Sequence, residues 1–216
     1  MTEIAADPLY QIHHYPARWI ETRALGNGGH LTLRPVLPQD ELQLGALVAG
    51  LSPQARRNRF HGVVHLSAAS LHQMSCVDYR HQLALVVTTQ VNGCETVIAD
   101  ARYCVADGDD CAEFAVMVDE RWQRHGIGTW TLRSLQLVAS HAGLHWMQGE
   151  VLQANTPMLA LMRRHGFVLS PDPEDECLVC AQRRLGIDAL RAPPPRRGLL
   201  ALLKGVVRPA YSECLA

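Results

Sequence analysis

Residues 116–135, VMVDERWQRHGIGTWTLRSL, decide how this chain folds. An apolar β run ends at Val118, a polar turn follows, Gly126 and Gly128 stand one residue apart, and an amphipathic helix begins at once. The first turn of a helix carries unpaired N–H groups and the positive end of the helix dipole, and glycine lets an anion approach the backbone closely. A pyrophosphate cradle over Gln123 to Thr129 is one use of such a turn; a plain helix start is the other. A dinucleotide-binding turn would put a third Gly or Ala at 131, where Thr131 stands, and the Gly-Lys-Ser/Thr of a Walker loop is missing.

Upstream of this stretch the pattern is β, with helices near the start. HLTLRPV (30–36) alternates as a strand, and Pro38 with Asp40 punctuates into a helix over QDELQLGALVAGL. Ser52-Pro53 is a cap followed by a first-turn proline, opening a second helix in SPQARRNRFHG, and SAASLHQMSCV suggests a third. Three β runs follow, QLALVVTTQ, ETVIADARYCVAD and CAEFAVMVDE. They are separated by Asn92-Gly93 and Gly108-Asp109-Asp110, hairpin signals that predict antiparallel neighbours. Downstream the chain alternates: a helix over about 127–142 ended by Gly143, a strand WMQGEVLQ, a helix over about 157–165 ended by Gly166-Phe167, then FVLS and CLVCAQRRL. Residues 1–29 read as an N-terminal extension. Residues 185–216 read as a tail: a stiff APPPRRG linker, then LLALLKGVV, for which a homodimer contact or a lid is the expected use.

Composition narrows the function classes. With 216 residues and 48% apolar side chains the chain fills one core, and a formal charge of -1 makes no case for nucleic acid or an anionic membrane. No apolar run reaches spanning length and no signal peptide opens the chain, so a cytoplasmic protein is expected. Seven scattered cysteines then read as reduced thiols. Cys177 and Cys180, read as one strand, point to opposite faces and make a poor metal pair, and His61 and His65 read as surface histidines, so no metal is expected.

The flanks of the glycine turn carry a resemblance. Gln123-Arg124-His125-Gly126-Ile127-Gly128 matches the Q/R-x-x-G-x-G/A signature of the GNAT superfamily of N-acetyltransferases. The stretch from Asn155 to Gly166-Phe167 has the spacing of that family's second motif. LRPV with Asp40, then LSPQARRNRF, resembles the opening of the acetyltransferase domain in bacterial protein lysine acetyltransferases, so the likeness spans about 30–184. It implies an α/β (mixed α+β) GNAT fold, with a mostly antiparallel sheet of about seven strands, splayed between the fourth and fifth and flanked by helices. It also implies acetyl-CoA as co-substrate. Backbone groups of Met117 and Val118 would meet pantetheine; the turn Gln123, Arg124, His125, Gly126, Ile127, Gly128 and Thr129 would hold pyrophosphate; and Asn155 would lie on the cofactor's far side.

The resemblance further implies acyl transfer to a primary amine, with a protein lysine as the expected acceptor. Glu113 takes the place of the family's general base, with Glu150 second, and the Val118 N–H would donate to the oxyanion. Met162 stands where many members carry a tyrosine acid, leaving solvent or His165 to protonate the thiolate. A small-molecule amine acceptor and a non-catalytic acetyl-CoA sensor are the alternatives.

Overall fold

In β2 (His30–Pro35) Leu31, Leu33 and Pro35 are buried while the residues between them are not, the period-2 pattern that fixes which face of a strand turns inward. The computed structural model describes residues 15–25, 28–62 and 66–186. After β2 come α1 (Glu41–Gly50), α2 (Pro53–Phe60) and α3 (Ala68–Ser75), then β3 (Gln82–Val91), β4 (Cys94–Cys104) and β5 (Cys111–Val118). The second half runs α4 (Ile127–His141), β6 (Trp146–Leu152), α5 (Thr156–Arg164), β7 (Val168–Pro171) and β8 (Leu178–Arg184). Local chemistry sets the boundaries. Asn92 and Gly93 both take positive φ (52° and 79°), as a tight hairpin between β3 and β4 requires. The Ser52 and Ser67 side chains accept from Ala55 N and Ser70 N to cap α2 and α3. Gly143, at φ 80°, closes α4 with Leu144 N bonding back to Ala139 O.

With β1 (Glu21–Ala24) ahead of β2, the strands form one eight-stranded sheet in the order β1-β2-β3-β4-β5-β6-β8-β7, parallel only between β5 and β6. The eighth strand is β1, which lies in the stretch that the sequence pattern leaves outside the sheet. Its ETRA carries no alternating apolar signal. It is held by the ladder to β2, by Trp130 Nε1 donating to Glu21 Oε2 at 2.7 Å, and by Arg23 stacked 4.1 Å from the Trp130 ring. Of the expected tail at 185–216, Leu185 is buried in the core, and residues 187–216 lie outside the described residues, as does His65.

Two cores sandwich the sheet. One packs α4 and α5 against Leu85, Ala101, Tyr103, Phe114 and Met147; the other packs α1 and α3 against Val86, Val97 and Met117. Alternation therefore sends Asp100, Arg102, Cys104, Glu113, Gln148 and Glu150 to the α1–α3 face. On that face Asp100 and Arg102 satisfy each other through two bonds of 2.7 and 2.9 Å, and Arg102 also donates to Met74 O.

Candidate active site

The β5–β6 ladder is short. It holds Cys111, Ala112 and Glu113 against Trp146, Met147 and Gln148 and then stops, although both strands continue. Phe114 is the wedge. A Cβ on Gly149 would come within 2.8 Å of its ring, so only glycine on β6 admits it, and Phe167 packs against the same ring with centroids 5.0 Å apart. Beyond this wedge β5 keeps β4 as its one strand neighbour. Asp119 N bonds Ile98 O, and in an antiparallel ladder bonded pairs alternate, so Met117 turns its N–H and C=O to Asp100 on β4. The groups facing the gap are those of Val116 and Val118. The backbone of Met117, expected at the pantetheine edge, therefore belongs to the β4 ladder, and Val116, which the sequence reading passed over, occupies that edge.

The gap opens onto α4. Its N-cap is Gly126, at φ 79°, with no side chain capping the turn, and the first ladder bond is Trp130 N to Gly126 O. The amides of Ile127, Gly128 and Thr129 thus have no acceptor within the helix. Arg124 also takes positive φ (65°), which winds the loop tightly over the helix start. The side chains of this stretch divide. Gln123 Nε2 donates to Val118 O at 3.1 Å and fixes the strand end; Gln123, Arg124, Gly126, Gly128 and Thr129 border the cavity. His125 and Ile127 do not border it. His125 Nδ1 is 2.8 Å from Gln123 O, and the Ile127 side chain is buried in the core, leaving only its backbone N–H for a ligand. Asn155 lies across the gap, where its Oδ1 caps α5 by accepting from Met158 N at 3.3 Å.

The cavity is about 980 Å³ and runs from this turn through the fork to the α1–α3 face, where Glu113, Glu150, Arg59, His61, Arg102 and Cys104 line it. Ser52 binds α2 to the strand end, its N–H and hydroxyl both donating to the Glu120 carboxylate at 2.8 and 2.9 Å. That tie holds the polar helix PQARRNRF over the fork. His61, which caps α2 at φ 57°, is not the surface residue its sequence suggests: only 10% of its side chain is exposed. Its Nδ1 stands 4.0 Å from Glu150 Oε2, yet burial, and then the charge of Arg59, pull its pKa down to about 4, so at neutral pH this contact joins a neutral imidazole to a carboxyl group. Helix α2 gave little sequence signal of this role: apart from Ala55 and Phe60, which pack in the α1–α3 core, it is polar and lacks a full apolar stripe.

The remaining candidates fall away from the chemistry. Met162 is buried in the core and His165 does not border the cavity; the His165 carbonyl is taken by Arg183. Burial, followed by nearby carboxylates, pushes the Cys104 and Cys111 thiols up to about 12, so neither supplies a thiolate at neutral pH. Cys177 is exposed in a turn while Cys180 is buried in β8. Among the described residues no group of three His, Cys, Asp or Glu is placed to hold a metal, and no helix is long and apolar enough to cross a membrane.

Comparison with known proteins agrees with this geometry. Residues 59–167 match the family model described as Acetyltransferase (GNAT) family. The chain is 30% identical over 162 residues to acetyltransferase PA5475 of Pseudomonas aeruginosa, covering 74% of this chain and 86% of that protein. It is 35% identical over 139 residues to acetyltransferase Pat of Mycolicibacterium smegmatis, but spans only 40% of that protein's length. Among solved structures it superposes on the GNAT domain of S. lividans PAT with a TM-score of 0.70 at 25% identity, covering 80% of this chain and all of that one. The forked sheet, the uncapped glycine turn and these likenesses lead to one assignment: the chain belongs to the GNAT family and is an N-acetyltransferase.

Proposed function

We propose that the protein moves an acetyl group from acetyl-CoA directly to a primary amine in a ternary complex, and that the amine is a protein lysine. The observation that carries this reading is the fork. One continuous cavity joins an uncapped helix N-terminus, a half-bonded strand edge at Val116 and Val118, and a polar pocket holding Glu113 and Glu150. A pyrophosphate suits the amides of Ile127, Gly128 and Thr129, and a pantetheine arm suits the β5 edge as a missing strand would. Preference for a protein lysine rests on the likeness to Pat and to the S. lividans PAT domain.

The chemistry asked of the pocket is deprotonation. A free lysine, with pKa near 10.4, is neutral about once in 10³ at pH 7, a handicap of roughly 4–5 kcal/mol. In this mechanism the Glu113 carboxylate, buried at the fork, takes the amine's proton directly or through water. The amine nitrogen then bonds to the thioester carbon, the Val118 N–H donates to the oxygen as it gains charge, and the C–S bond breaks to release the thiolate; the nitrogen gives up its second proton to solvent, and the thiolate takes one up from solvent. Glu150, beside the neutral His61, is the second carboxylate in reach of the acceptor.

Incubating the purified protein with acetyl-CoA and a panel of protein and small-molecule amines, while recording free thiol, tests the reading. Thiol release with lysine-bearing proteins is expected, and Glu113→Gln should lower it at least about tenfold with acetyl-CoA affinity nearly unchanged. Tight binding without release for every acceptor would make the protein a sensor; wild-type turnover in Glu113→Gln would remove that residue as base.

A further inference from the structure

The acceptor side of the cavity holds two guanidinium groups in different electrostatic states. Arg102 is neutralised: both Asp100 oxygens bond to it, at 2.7 and 2.9 Å. Arg59, on α2, has no such partner among the described residues. Its Nε is buried without a hydrogen-bond acceptor among the described residues, and the group it meets on its own helix is the ring of Phe60, 4.8 Å away. Asp100 and Glu113 act on it through space, but burial and the like charge of Arg102 outweigh them, and its pKa falls to about 10. It nevertheless stays charged at neutral pH. A planar guanidinium held in a pocket with an unfilled donor is a poor element of stability and a good receptor for a carboxylate, which it meets through paired N–H donors.

We propose that Arg59 anchors a carboxylate carried by the acceptor, so that the preferred acceptor is an amine with an acid group close to it. In a protein this is a lysine with a neighbouring Asp or Glu; in a small molecule it is an amino acid. The inference deepens the acetyl-transfer reading and rests on it. Its spatial logic is a division of labour across the cavity: Glu113 and Glu150 face the cationic end of the acceptor, and Arg59, reached from the same space, faces its anionic end. Such an arrangement orients the amine before attack and disfavours neutral or basic neighbours through an unpaired buried cation.

The test uses the full chain, acetyl-CoA and two matched peptide acceptors, one with Glu beside the lysine and one with Gln there, with free lysine and lysine amide as the small-molecule pair. Thiol release gives kcat/KM for each. The acidic member of a pair is expected to be favoured by about 10- to 100-fold, the usual worth of a charged hydrogen bond. A preference confined to the peptides identifies the protein form, and one confined to free lysine the small-molecule form. In Arg59→Gln the ratio should collapse toward one and in Arg59→Lys it should be partly retained, while the melting temperature of Arg59→Gln stays at or above that of the wild type because a buried unpaired charge is gone. Equal kcat/KM within both pairs in the wild-type protein overturns the anchor while leaving acetyl transfer standing, and this outcome does not depend on how any variant folds. An Arg59-dependent preference for succinyl-CoA over acetyl-CoA, with a neutral acceptor, also overturns it, since the carboxylate would then sit on the acyl group. No thiol release from any acceptor overturns acetyl transfer and the anchor with it.

Discussion

Gly149→Ala should damage both the fold and the catalyst through a single contact. The added Cβ would lie 2.8, 3.1 and 3.2 Å from three atoms of the Phe114 ring, and that ring cannot retreat freely because Phe167 packs on it. Overpacking of this kind costs about 1–3 kcal/mol. For a chain of this size each kcal/mol moves Tm by about 2–4 °C, so a drop of roughly 2–12 °C is expected in a thermal melt followed by circular dichroism. The ring can yield only by moving β5, and Glu113 and the Val116 edge flank it in sequence, so kcat should fall with the melting temperature while the α4 turn, which lies farther along the chain, keeps its form. Phe114→Leu supplies the control. It leaves space at the fork and costs stability by itself, yet it removes the atoms that the added methyl group would strike, so the double variant should be less destabilised than the two singles added, by about 1 kcal/mol or more. Strict additivity, or a Gly149→Ala protein with wild-type Tm and kcat, would refute the claim that this glycine and ring hold the strands apart.

The two glycines of the turn should respond to alanine in opposite directions. Gly126→Ala meets no atom within 4 Å but must hold φ near 79°, costing about 1 kcal/mol; Gly128→Ala places its Cβ in ordinary contact with Leu161 and Val118, at 3.5 and 4.0 Å, and gains roughly 0.5–1 kcal/mol of helix propensity. Melts in which Gly126→Ala is the more stable of the two would contradict the assigned backbone. His61 should make stability pH-dependent. Its folded pKa, about 4, lies below the ordinary 6.5, so between those values the unfolded chain binds the extra proton and stability falls as pH falls, by up to about 3 kcal/mol. Denaturant midpoints recorded from pH 7 to pH 4 should therefore flatten in His61→Asn, which keeps a residue tolerant of positive φ; an unchanged slope would place that titration elsewhere.

Much of the architecture was legible because its signals are local. Asn92-Gly93, Ser52-Pro53, Gly143 and Gly166 each impose a backbone state that few other residues tolerate, and each falls at an element boundary in the structure. The helix between the two apolar runs is the connection that the parallel β5–β6 pair needs, though the sequence reading named only a mostly antiparallel sheet. Strand β1 was illegible for the opposite reason: Arg23 and Thr22 are exposed, and what holds ETRA in place is a ladder and a tryptophan more than a hundred residues away.

The site divides along the same line. The half proposed to hold the cofactor is made by a contiguous stretch, Gln123 to Thr129, whose glycine spacing becomes three orphan amides in the structure. Even here one residue of strand register mattered: Met117 and Val118 are neighbours in sequence but turn their backbone groups to opposite sides of β5, a distinction fixed by the pairing of Asp119 with Ile98 and invisible without it. The acceptor half is assembled from α2, β4, β5 and β6. There the informative fact about Arg59 and His61 is what surrounds them, and a polar helix reads as solvated until the Ser52–Glu120 tie folds it over the fork. The proposed donor and acceptor sites are thus encoded differently, the first by spacing along the chain and the second by contacts across it. Under the proposed assignment, specificity for the amine can drift through single substitutions on α2 without disturbing the turn that would bind the donor.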